Sequence, residues 1–124
     1  MDDEDFNSLM RGMREVAEHK VLTRPFKDTL YANLKRDRAF ADAMFTGAID
    51  LLLAGDFETG KALLRDYINA TLGFPALSAR TGTPAKSLMR MFSPSGNPTA
   101  RTLFAVIREL QADAGVVLEL KRAA

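Results

Sequence analysis

Apolar residues recur along this chain at spacings of three and four, the period of helices that bury one face. Phe6, Leu9, Met10, Met13 and Val16 predict an amphipathic helix over residues 5 to 19. Lys20 to Thr23 reads as extended, because Pro25 disfavours helix in the residue before it, and a second helix is expected from Lys27 to Lys35. From Asp37, the series Phe40, Met44, Phe45, Ala48, Leu51 and Leu52 marks a longer helix closed by Gly55. Asp56 is placed to cap the next one, whose Phe57, Leu63, Leu64, Tyr67, Ile68 and Leu72 run on to a stop at Gly73. A short helix ending at Gly82, a second from Pro84 to Phe92, the loop Ser93 to Pro98 and a third, apolar helix then follow. After Gly115, Val116-Val117-Leu118-Glu119-Leu120 is β-branched and apolar enough for a strand. A lone strand needs a partner, either Lys20 to Thr23 or the same strand of a second copy.

The pattern predicts an all-α fold, a domain of about five helices over residues 25 to 124 with a short C-terminal strand, preceded by an acidic leader and extra helix over residues 1 to 24. A length of 124 residues, 47% of them hydrophobic, suits one globular domain and would leave two without adequate cores. With no cysteine, disulfides and thiolate metal sites are excluded, and His19 is the single histidine, expected in an exposed or capping role. Acid-base or nucleophilic catalysis would want His, Cys or clustered carboxylates in a pocket. Here carboxylates scatter along amphipathic helices, so no enzyme, cofactor or metal site is expected. The longest near-apolar runs, such as Ala48 to Ala54, are far short of a bilayer, and Met1-Asp2-Asp3-Glu4-Asp5 is acidic where a signal peptide is basic. The chain therefore reads as soluble and cytoplasmic.

Net charge is only +1, but it is unevenly spread. Residues 1 to 73 hold 10 basic and 13 acidic side chains, net −3, whereas residues 74 to 124 hold 7 and 3, net +4. No Asp or Glu lies between Asp66 and Glu109, while Arg80, Lys86, Arg90, Arg101 and Arg108 do, so a positive face can form there without internal cancellation.

That window contains residues 74 to 92, which have the layout of a DNA-reading helix-turn-helix. Two helices meeting steeply need a small residue at the contact, one tolerant of positive φ in the turn and an apolar anchor; Ser78, Gly82 and Leu88 stand at those places. Thr83 is placed to cap the second helix and Pro84 suits its first turn. Leu88, Met91 and Phe92 form its inward side. Ala85, Lys86, Met89 and Arg90 form the opposite one, beside Ser87. Lys86 and Arg90, one turn apart, can reach guanine O6 and N7, and Ala85 and Met89 can meet a thymine methyl. Thr99 is expected to cap the helix of Leu103, Val106, Ile107 and Leu110. Free N–H groups at that cap, with Asn97, Thr99 and Arg101, make a phosphate clamp, and Arg80 adds a further contact.

Residues 77 to 110 resemble the lambda-repressor-like helix-turn-helix superfamily. Ser87-Leu88 and the run Ser93-Pro94-Ser95-Gly96-Asn97-Pro98-Thr99 resemble its branch of addiction-module antidote proteins and related transcriptional regulators, and the likeness extends over about 100 residues. Ser78 stands where that branch commonly has alanine, and Phe74 where it often has a polar residue. The resemblance implies a homodimeric regulator that binds double-stranded DNA. Its alternatives are an antitoxin that also neutralises a cognate toxin, and a helical protein-interaction module that binds no DNA. Residues 1 to 24 have no counterpart in the branch.

Overall fold

The computed structural model describes residues 24 to 123, with side chains described from Asp28 onward. The helix expected at residues 5 to 19 and the extended segment at Lys20 to Thr23 lie outside the described residues. Among the described residues six helices follow one another: α1 Arg24–Arg36, α2 Arg38–Leu53, α3 Phe57–Ala70, α4 Phe74–Thr81, α5 Ala85–Met91 and α6 Ala100–Ala114. No β-strand occurs among the described residues, so the described part is all-α.

Capping chemistry explains where these helices start. Asp37 accepts the Phe40 N–H at 3.0 Å and opens α2; Asp56 accepts the Thr59 N–H at 3.4 Å and opens α3. Helix α1 begins three residues before the expected Lys27. It takes in Pro25, whose missing N–H needs no partner in a first turn. Helix α3 stops at Ala70, short of Leu72. The Thr71 hydroxyl donates to the Tyr67 carbonyl at 2.7 Å and the Gly73 N–H reaches back to Ile68 at 2.8 Å, which closes the helix early.

The first three helices make a platform. α2 packs along α3, with α1 against both. Gly60 of α3 lets the pair approach, since a Cβ there would stand 2.8 Å from Leu52 Cδ2. Phe45 and Tyr67 stack between the same two helices at 5.2 Å. The core continues without a break through Phe74, Leu77, Leu88, Phe92, Val106, Ile107 and Leu110, so the last three helices close onto that platform. Arg38 at the start of α2 also donates to the Ala114 carbonyl at the end of α6, at 2.8 Å.

Residues 116 to 120, expected as a strand, have no strand pairing among the described residues. They fold back on α6 instead. The Val116 N–H donates to the Gln111 carbonyl at 3.1 Å and the Leu118 N–H to its side-chain oxygen at 2.7 Å. A single strand has no ladder of its own, and these local bonds take up the donors of Val116 and Leu118.

Candidate nucleic-acid interface

Between α4 and α5 the chain turns through Gly82, Thr83 and Pro84. Gly82 adopts φ 80° and ψ 1°, a left-handed conformation that side chains with a Cβ disfavour, and its N–H donates to Ser78 O. Thr83 does not cap α5. Pro84 occupies the cap position, with no side-chain bond, and the Thr83 N–H instead meets the Thr81 hydroxyl at 3.3 Å. Proline's fixed φ already sets the backbone to enter the helix there. α5 therefore spans Ala85–Met91, one residue shorter at each end than the periodicity suggests.

The inward side of α5 is apolar and closed. Leu88 and Phe92 are fully buried, Phe92 lies 6.2 Å from the Phe74 ring on α4, and Met91 packs at the margin. Phe74 is thus a core residue, which fits the absence of a polar group there. On the other side Lys86 and Arg90 are exposed, Met89 is 53% exposed, and Ala85 and Ser87 are half-buried. Helical spacing places Lys86 and Arg90 one above the other along the axis.

The loop after α5 brings the remaining candidates close in sequence to a helix start. Asn97, Thr99 and Arg101 are all exposed. Thr99 caps α6 as expected, its hydroxyl accepting the Thr102 N–H at 3.2 Å. The first intrahelical bond there is Leu103 N–H to Thr99 O, so the N–H groups of Ala100 and Arg101 precede the ladder.

Arg80 is exposed on α4, but it already has a partner: its Nη2 lies 3.6 Å from Asp113 Oδ1 on α6. Asp113 also lines an open polar cavity of about 350 Å³ with Arg38, Asp42 and Tyr67. Burial, aided by Asp42 and Asp113, pushes the Tyr67 phenol up to about 12. Sequence periodicity did not single out Asp113, because it lies beyond the acid-free window and only the fold carries it back to Arg80.

Two further residues escaped the sequence reading. Phe104 is 66% exposed on α6, one turn from the exposed Arg101 and Arg108. Lys61, by contrast, is a buried lysine on α3 whose Nζ donates to Gly96 O of the loop at 2.6 Å. Its signal in the sequence was a charge set in the apolar series Phe57, Leu64, Ile68.

Among the described residues no group of three or more His, Cys, Asp or Glu is arranged to hold a metal, and no helix is long and apolar enough to cross a membrane. Comparison with protein-family models, with curated proteins and with solved structures returned no match.

Proposed function

We propose that the chain is a sequence-specific DNA-binding regulator, with α4 and α5 as its helix-turn-helix and α5 entering the major groove. One observation carries this reading: Arg80, Lys86, Arg90, Arg101 and Arg108, the five cations of the acid-free window, are all exposed, while buried Leu88 and Phe92 anchor α5 from its inward side. A basic surface attracts phosphate, even with Arg80 paired to Asp113, and a helix anchored on one face can offer the other to base edges. Lys86, Met89 and Arg90, with Ala85, carry sequence preference in this reading. Arg80, Asn97, Thr99 and Arg101 set the register on the backbone.

The regulator acts as a homodimer, reading two half-sites about 34 Å apart. Residues 116 to 120 pair with the same segment of the second copy; Val117 and Leu120, both exposed in the single chain, support this.

Mobility shift on duplex from the protein's own upstream region tests the proposal. Binding is expected to weaken steeply with salt and to prefer that duplex over a scrambled one. Lys86→Ala combined with Arg90→Ala should abolish the preference, each lost bidentate contact costing about 1–3 kcal/mol of discrimination. Unchanged preference in that variant would falsify the groove assignment, and no binding to any duplex at low salt would defeat the DNA reading as a whole.

A further inference from the structure

Lys61 stands on the core-facing stripe of α3, and its side chain is 2% exposed. Its Nζ is held by four oxygens. Two are the carboxylate oxygens of Glu58, at 3.1 and 3.4 Å; the others are the carbonyls of Gly96 at 2.6 Å and Pro94 at 3.4 Å, both in the loop between α5 and α6. The Phe57 ring covers the ammonium at 5.6 Å. A leucine at this position would fill the space but leave those inward-pointing carbonyls without a donor. A compact ammonium can donate three bonds in diverging directions, which matches the arrangement found.

The same loop is pressed from its other side against α5. A Cβ on Gly96 would lie 1.8 Å from the Arg90 carbonyl oxygen, so only glycine fits. The Ser93 hydroxyl donates to that carbonyl at 2.6 Å, and the Gly96 N–H donates to Ser93 O at 3.0 Å. Held between α3 and the last turn of α5, the loop delivers the chain to Asn97, Thr99 and Arg101.

We propose that Lys61 is a positioning residue for the phosphate-contacting edge: closed on Pro94 and Gly96, its ammonium fixes where Asn97 and the start of α6 stand relative to Lys86 and Arg90. This rests on the DNA-binding reading above, and it assigns a second, non-contacting residue to the same interface. Phosphate contacts act on every sequence alike, whereas base contacts discriminate. Loosening the loop therefore weakens binding uniformly and leaves discrimination intact.

The test uses the full chain with Lys61→Met and, separately, Gly96→Ala, which displaces the loop while keeping the lysine. Amide hydrogen exchange is followed over residues 96 to 101, and affinity is measured over a salt series on the upstream duplex and a scrambled one. Both variants should exchange faster there and lose about tenfold in affinity on both duplexes; in Lys61→Met, which leaves the Arg90 backbone untouched, the salt slope should fall by about one and the preference between duplexes be kept. Asn97→Ala should cost little more in the Lys61→Met background, though it weakens the wild type. If either variant proves unfolded by circular dichroism, the other carries the same measurements. Wild-type affinity and slope in folded variants overturn the proposal, as does a loss confined to the upstream duplex or an additive Asn97→Ala effect. Unaltered exchange in both variants overturns the positioning role alone, and a wild-type chain that binds neither duplex overturns the DNA reading and this role together.

Discussion

Tyr67 shows how burial at one residue becomes a property of the protein. Its ring stacks on Phe45 and its phenol is pushed up to about 12 by burial first, then by Asp42 and Asp113. Below pH 10 the phenol is protonated in folded and unfolded chains alike and the linkage costs nothing. Above it the unfolded chain releases the proton while the folded one keeps it, so stability falls as pH rises from 10 towards 12. Urea denaturation at pH 9, 10.5 and 11.5 should show that decline, and Tyr67→Phe should lessen it, the Tyr31 phenol, also raised by burial, keeping a share. Leu88 is the simpler case. It is wholly buried, the apolar anchor of α5, so Leu88→Ala should cost about 2–5 kcal/mol by urea midpoint. Both positions were legible in the sequence as members of apolar stripes. Lys61 was not, because periodicity treats a lysine as a solvent marker and cannot show carbonyls arriving from a loop 35 residues away.

At the scale of elements, turn and cap residues carry much of the specification. Gly82 holds φ 80° between α4 and α5, so Gly82→Ala places a Cβ in a left-handed conformation and should cost about 1–2 kcal/mol. Thr99→Ala removes the cap of α6 and should cost about 1 kcal/mol. Differential scanning calorimetry on the two variants checks both figures. The caps at Asp56 and Thr99 could be read in advance, since each is a short polar side chain just ahead of an apolar series. Other ends could not. The early stop of α3 depends on the Gly73 N–H reaching Ile68, and Pro84 displaced Thr83 from the cap of α5 through backbone geometry that composition does not encode. The segment after Gly115 read as a strand because its residues suit one, but a ladder requires a second strand.

Taken whole, the molecule divides into the platform α1 to α3 and the cationic helices α4 to α6, joined by one core. The exposed cations were legible from the acid-free window, whereas the pairing of Arg80 with Asp113 emerged only from the way α6 lies beside α4. Both side chains are partly exposed, so the pair adds at most about 1 kcal/mol to stability. Its larger effect falls on the proposed interface, where Asp113 occupies an arginine meant for phosphate. Asp113→Asn should therefore raise duplex affinity a few-fold and steepen the salt dependence by about one unit, read by fluorescence anisotropy over a salt series. The burial of Lys61 has a practical consequence as well. Amine-reactive reagents will modify the exposed Lys35, Lys86 and Lys121 at once, but they can reach Lys61 only when the loop lifts away. The acylation rate of that single amine, followed by peptide mass spectrometry, is a built-in clock for loop opening in the unaltered protein.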